Sequence, residues 1–282
     1  MPRRWLPIRA VLLAAALFSG SATAADPTVR DVQPLPSGSA TAADLTVRDV
    51  VQRLIKAKNG PPADFAGLDL RYLDLSGLDF SAANLAGANL FGADLTDSNL
   101  SGANLAGAML DRTVIIRTDF SRANMTGVKL RRPAAFTTLQ VREDEAPNFE
   151  GANLSGAEVF GKLSESNFAN ANLSGATLRQ SRPTELLTAT RTELVDCNFS
   201  GANLSNADLS NVWLTFADFT NANLAAANLM KADLSKANLT GANVSGANLD
   251  RANLDGAIFR NARGLKQAAG LERAFNLDTI IE

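Results

Sequence analysis

Leucine recurs at every fifth position from Leu85 to Leu110, through Leu90, Leu95, Leu100 and Leu105. No regular element gathers such a set on one side. An α-helix advances about 100° per residue, so a step of five lands about 140° past a full turn. A flat strand sends residues an odd step apart to opposite faces. A backbone that points every fifth residue inward must instead turn a corner every five residues. Four corners close a square coil of about 20 residues, whose inward walls the leucines line as coils stack.

The pattern extends well beyond that stretch. A small residue, then Asn or Asp, then Leu or Phe, then two polar or small residues recurs as Ala63-Asp64-Phe65, Ala83-Asn84-Leu85 and Ala93-Asp94-Leu95. Its central position holds strict register for 14 units from Phe65 to Leu130, with Ile115 and Met125 as looser members. Residues 131–147 break it. It resumes at Phe149, Leu154 and Val159, slips by one residue, and continues from Leu163 to Leu178. A second break covers 179–192, and a final 14 units run from Leu194 to Phe259. Large side chains are otherwise scarce, with 46% hydrophobic but only 6% aromatic residues, so the core must be narrow and regular. Leu85, Leu90, Leu95, Leu204, Leu224 and Leu249 are expected in it, with the preceding alanines filling the corners.

The units Ala202-Asn203-Leu204-Ser205-Asn206 and Ala247-Asn248-Leu249-Asp250-Arg251 resemble the pentapeptide repeat proteins. The resemblance implies an all-β solenoid, a right-handed quadrilateral β-helix, over roughly residues 63–260 apart from the two breaks. The domain reading places repeats at 61–130, 148–178 and 193–260, with inserted loops at 131–147 and 179–192.

Open coil edges invite aggregation, so each end of such a rod needs a cover. In residues 45–60, Thr46 with Asp49 three residues on opens an amphipathic pattern of Val47, Val50, Val51, Leu54 and Ile55, which Asn59-Gly60-Pro61-Pro62 stops. This predicts an N-terminal capping helix. Leu265, Leu271 and Phe275 suggest a second helical cover within the C-terminal cap, 261–282. Short α-helical caps are thus expected at one or both ends.

Residues 1–24 read as a secretory signal peptide. Arg3, Arg4 and Arg9 precede an apolar stretch from Ala10 to Phe18, and Ala22-Thr23-Ala24 offers a small-residue cleavage site. That stretch is too short to span a bilayer. Arg3-Arg4 raises a twin-arginine route, although the residues after it fit that motif poorly. Residues 25–44 read as a flexible linker, containing most of a near-repeat, SGSATAADPTVRDV returning as SGSATAADLTVRDV. A periplasmic or secreted bacterial location follows as an expectation.

Charge argues against nucleic-acid binding. Without the three signal arginines, 24 of the 27 basic residues remain against 29 acidic ones, an acidic balance and not a basic footprint. Histidine is absent, so no Ser-His-Asp set exists, and neither a phosphate-binding loop nor a Cys/His metal cluster occurs. No catalytic residue, cofactor or metal is expected. Cys197, the only cysteine, falls in register with the inward alanines and reads as a buried inert thiol.

Outward positions supply the remaining candidates. Tyr72, Phe91 and Met109 fall on one face of successive coils, and Trp213 and Phe216 bracket the inward Leu214, making these five a candidate partner surface. Packing beneath an insertion or a terminal helix is the competing account. Arg112, Arg117, Arg122, Arg131 and Arg132 form a basic collar for an anionic ligand or acidic partner, or a solvated rim. Asp64, Asp69, Asp74 and Asp79 occupy four different walls, a ring and not a stripe.

These features favour an exported, non-enzymatic scaffold with an unidentified protein partner in the cell envelope. A homodimer stays open, and neither nucleic acid nor a membrane span is expected. Some proteins of the resembled family mimic DNA and bind gyrase, protecting it from quinolones; this chain departs from them in its export signal and its dispersed charge. An enzyme built in the inserted loops is the third reading, supported only by Arg142, Glu143, Asp144 and Glu145.

Overall fold

The structure is a computed structural model that describes residues 45–137, 142–179 and 191–282. The expected signal peptide and linker, and most of the second insertion, lie outside the described residues.

Each five-residue unit makes one turn. The Leu85 carbonyl accepts the Ala88 N–H at 3.0 Å, and Gly87, third in the turn, has φ of 65°. That positive φ is what a type II turn demands there. The chain returns to the same wall after four units. Asn84 pairs in parallel with Asn104, Asn89 with Met109, Asp94 with Val114 and Asn99 with Asp119, all 20 residues apart. Backbone bonds join the coils, as when Leu85 N–H donates to the Asn104 carbonyl at 2.7 Å. We number the walls 1 to 4 by the columns through Leu85, Leu90, Leu95 and Leu100. The result is a repeat solenoid.

Its core is four stacked columns. Leu85, Leu90, Leu95, Leu204, Leu224 and Leu249 are all fully buried, with alanines filling the corners. Each such leucine contributes about 1.5–3 kcal/mol of transfer free energy before ordering costs. Wall 4 carries a column of aromatic rings. Phe120, Phe149, Phe168, Phe199 and Phe219 stack nearly parallel, with centroids 4.7–5.1 Å apart. Coil spacing and ring stacking distance coincide, so successive coils bring the rings into register. Cys197 is buried at a corner, and its Sγ lies 3.1 Å from the Leu163 carbonyl. Burial pushes its thiol pKa up, which removes thiolate character.

The first break is shorter than the sequence pattern indicates. Ala134 pairs with Val114 and Ala135 is buried, so 131–135 forms one more unit with alanine in the central place. Leading into it, β1 (Lys129–Arg131) pairs in parallel with β2 (Glu158–Phe160). The register slip is a four-residue step from Val159 to Leu163, made at Gly161. Its φ is 148°, and a Cβ there would sit 3.1 Å from Pro133 Cδ and 3.3 Å from Arg132 Cα. Only glycine turns this tight corner without displacing the coil beneath.

Helix α1 (Val47–Ala57) begins with a capping box. Asp49 N–H donates to Thr46 Oγ1 at 3.3 Å, and Thr46 N–H to Asp49 Oδ2 at 2.9 Å. It buries Val50 against the first coil. Arg53 reinforces the contact, donating to the Asp64 carbonyl at 2.9 Å with its guanidinium 5.9 Å from the Phe65 ring centre.

The C-terminal segment corrects the expected helix. Arg263, Ala269, Phe275 and Ile281 pair with Asn243, Asn248, Asn253 and Ile258. Between them lie single 3₁₀ turns at Leu265–Gln267, Leu271–Arg273 and Leu277–Thr279. The segment is therefore a further coil of six-residue units, GLKQAA, GLERAF and NLDTII. Gly264, Gly270 and Asn276 adopt positive φ before each turn, which no continuous α-helix permits. Of the residues expected on a helical face, Leu265 and Leu271 instead open single turns and Phe275 pairs with Asn253.

Candidate interaction surface

The residue before each central leucine does two jobs. In Asn203, Oδ1 accepts the Ser205 N–H at 3.2 Å, closing an Asx turn, while Nδ2 donates to Asn172 Oδ1 of the coil below at 3.1 Å. Repetition produces an asparagine ladder along wall 1, continued by Asn223 on Asn203 and Asn243 on Asn223, each at 3.1 Å. Aspartate can close the turn but cannot donate downward. Asp64 and Asp79 accordingly start ladders, accepting from Asn84 at 2.9 Å and Asn99 at 3.0 Å. All four first-coil aspartates close their own turns, and Asp64 and Asp79 also start a ladder. Asp69 instead pairs with Arg71 at 2.6 Å, and Asp74 accepts the Ser76 hydroxyl at 2.6 Å.

Walls 1 and 4 keep this chemistry almost throughout, whereas walls 2 and 3 abandon it in the middle coils. On wall 2 the ladder position reads Asn89, Met109, Lys129, Glu158 and Thr177 in succession. On wall 3 it reads Asp94, Val114 and Ala134, then Lys162, Glu193 and Trp213. Both insertions leave the coil from these walls, the first after wall 3 and the second after wall 2. In the middle coils, departure from the Asn/Asp ladder is thus confined to two adjacent walls, a pattern the fold itself does not require.

The corner between walls 2 and 3 brings several candidates together. Tyr72, 70% exposed, meets Phe91 edge-on with ring centres 5.5 Å apart. Gly92 makes room beneath it, since a Cβ there would lie 2.8 Å from the tyrosine ring. The Arg112 guanidinium sits 5.9 Å from the Phe91 centre. Arg131 pairs with the buried Asp111 and, at 3.7 Å, with Glu158, and Arg132 follows at the same corner. Met109 lies beside them, at the ladder position of wall 2.

Other candidates lie elsewhere. Arg117 occupies the corner after wall 3, paired with Asp97 at 2.6 Å, which raises the arginine pKa and lowers that of the carboxyl. Arg122 lies at the corner after wall 4, its Cγ 3.6 Å from where a Cβ on Gly151 would stand. Trp213 is 39% exposed on wall 3, with the Arg191 guanidinium 5.9 Å from its ring centre, and Phe216, 57% exposed, turns the next corner. The arginines therefore spread over three corners, and the aromatic residues form two clusters several coils apart.

Backbone geometry marks a feature that the period alone does not reveal. Tyr72, Arg112, Arg132, Lys231 and Arg251 all occupy the third turn position at the corner between walls 2 and 3, with φ of 54–59°. On wall 1 that position is held by Gly67, Gly87, Gly107, Gly127, Gly156 and Gly175 before Asn206 and Ala226 appear. A non-glycine residue in the left-handed region costs about 1–2 kcal/mol. The chain accepts that cost elsewhere too, at Arg117, Phe216 and Lys236 after wall 3 and at Arg122, Asn170 and Asn221 after wall 4, so the corner between walls 2 and 3 is set apart by the cationic side chains it carries and not by strain.

The first insertion folds back on wall 3. Glu145, buried, accepts the Thr137 N–H at 2.8 Å and its hydroxyl at 2.7 Å, while Arg117 N–H donates to the Glu145 carbonyl at 2.8 Å. Those two Thr137 bonds hold the carboxyl below the usual range. Two shallow hollows of about 310 and 430 Å³ lie at the C-terminal end, around Leu265, Leu271 and Ile280. Among the described residues, no group of three or more Asp, Glu or Cys side chains is placed to hold a metal, and no helix is long and apolar enough to cross a membrane.

Comparison with known proteins fits this architecture. The family model for pentapeptide repeats matches in eight copies, over residues 63–97, 98–132, 161–182, 192–229 and 227–263. The chain belongs to the pentapeptide repeat family. Among solved structures it is similar to HetL from the cyanobacterium Nostoc sp. strain PCC 7120, a protein involved in regulating heterocyst differentiation. The two share 28% identity over 84% of this chain and 94% of HetL, with a TM-score of 0.41. Full-length QnrB1, a plasmid-mediated fluoroquinolone resistance protein, aligns at 18% identity over 71% of this chain and 81% of its own, with a TM-score of 0.40. Rfr23 from the cyanobacterium Cyanothece 51142 aligns at 22% identity over 56% of this chain and 93% of its own, with a TM-score of 0.28. No curated protein matches.

Proposed function

We propose that this protein is an exported, non-enzymatic scaffold of the bacterial cell envelope. It is a right-handed quadrilateral rod whose walls 2 and 3 contact a protein partner, with α1 covering its N-terminal end. The observation that carries the reading is the one-sided departure from the repeat. Ladder positions depart from Asn and Asp in the middle coils, and both insertions leave the coil, on the same two walls, while the ladders of walls 1 and 4 stay nearly uniform. A purely mechanical rod would vary equally on all sides. The positively charged, apolar and small-residue succession in residues 1–24 supports export.

Charge distribution weighs against the DNA-mimic reading, which needs a wall lined with carboxylates. Wall 1 carries Asp64 and then asparagines, and wall 2 mixes Asp69, Lys129, Glu158 and Asp208; on wall 3 Val114, Ala134, Lys162 and Trp213 interrupt Asp74, Asp94, Glu193 and Asp233, and on wall 4 asparagines separate Asp79, Asp119 and Asp218. Cell fractionation with intact-mass analysis tests the proposal. A periplasmic species beginning near Ala25 is expected. A full-length cytoplasmic species would overturn the export reading and make a supercoiling assay with gyrase the next measurement.

A further inference from the structure

We propose that the corner between walls 2 and 3 is a docking ridge for an extended acidic polypeptide. Arg71, Arg112, Arg131, Arg132, Arg179, Lys231 and Arg251 all fall on this one edge, although the chain carries a formal charge of −2. Asp111 and Asp250 are the only carboxylates at the same positions of that corner among the described residues. Arg71, Arg131 and Arg179 already engage Asp69, Asp111 and Asp208, so carboxylates are the anions this edge accommodates. Among the described residues no carboxylate pairs with Arg112, Lys231 or Arg251. These three hold strained turn positions with φ of 56–59°, where glycine suffices on wall 1.

The flanks limit the shape of the partner. Asp69, Glu158 and Asp208 line the ridge on wall 2, and Asp74, Asp94, Glu193 and Asp233 on wall 3, where they outnumber the single lysine of each wall, Lys129 and Lys162. A polyanion broad enough to overhang both walls, such as a nucleic-acid duplex or an anionic bilayer, meets those carboxylates and is repelled. A single extended chain aligned with the edge stays over the cations. Tyr72, Phe91, Phe160 and Met230 interleave with them and offer apolar contacts, which suits a chain bearing both acidic and apolar side chains.

The inference rests on the interaction-scaffold reading but not on export, so a cytoplasmic location would leave it standing. Its test uses the purified chain and a fluorescent Glu/Tyr peptide of about 12 residues, the extended length that spans a rod of about 40 Å. Anisotropy is expected to show binding that weakens with added salt. The triple variant Arg112→Gly, Lys231→Gly, Arg251→Gly should weaken binding about tenfold or more while its melting temperature stays level or rises, since glycine relieves the turns. That combination separates lost contacts from misfolding. Arg122→Gly, which removes one charge from an equivalent turn at another corner, should bind as the parent does. The proposal is overturned if the peptide does not bind, if the triple variant binds unchanged, or if Arg122→Gly matches its loss. Tighter binding of oligo(dT) or of phosphatidylglycerol vesicles than of the peptide would also overturn it.

Discussion

At the scale of single residues, the choice between asparagine and aspartate on wall 1 follows hydrogen-bond direction. Asparagine, which can both donate and accept, fills every interior ladder position there from Asn84 to Asn243, whereas Asp64 in the first coil only accepts. Asn223 accepts from Asn243 and donates to Asn203. Asn223→Asp should remove the downward donor and place two acceptors face to face, destabilising the rod by about 1–2 kcal/mol. Asp64→Asn, at the foot of the same ladder, should be close to neutral. Denaturant midpoints of the two variants check the asymmetry. Gly161→Ala should also be costly, by more than about 1 kcal/mol, because the corner needs both its positive φ and its empty Cβ position.

At the scale of elements, the aromatic column and the first insertion are the separable units. Phe168 is sandwiched between Phe149 and Phe199, at 4.7 and 5.0 Å. Phe168→Ala should open a cavity between two coils and cost about 3–5 kcal/mol, read as a loss in thermal midpoint. The insertion responds to pH instead. The Thr137 bonds depress the Glu145 pKa below its ordinary 4.5, so its stabilising contribution is full above that value. It is lost as pH falls through the lower, folded-state value. Amide exchange corrected for intrinsic rates should show residues 142–147 loosening in acid before the coils do. Glu145→Gln should loosen them already at neutral pH.

For the whole molecule, the ends are where a solenoid is most exposed to self-association. The Val50 side chain and the Arg53 contact to Asp64 bring α1 onto the first coil. Removing residues 45–58 should bare a row of unpaired strand groups and Phe65, giving concentration-dependent association by light scattering. Val50→Asp should act in the same direction with the chain intact.

Much of this was legible from residue order alone. Period five leaves no alternative to a corner every five residues, so the inward columns, the alanine corners and the buried Cys197 followed from spacing. The C-terminal coil is not legible in this way, because Leu265, Leu271 and Phe275 are compatible with a helical face, while its six-residue GLxxAx period spans too few copies to declare itself. Arg131–Ala135 was hidden by an alanine in the leucine place. The docking corner was beyond sequence reading for a different reason. A nine-residue lengthening, a one-residue slip and an eleven-residue lengthening shift the coil repeat, as pairings of 29, 19 and 31 residues show. Only backbone pairing reveals which wall each later residue occupies. The local rule of the repeat is short-range and belongs to the sequence; the azimuth of Arg179, Lys231 and Arg251 relative to Arg112 depends on where the intervening loops leave and rejoin the coil, which tertiary pairing decides.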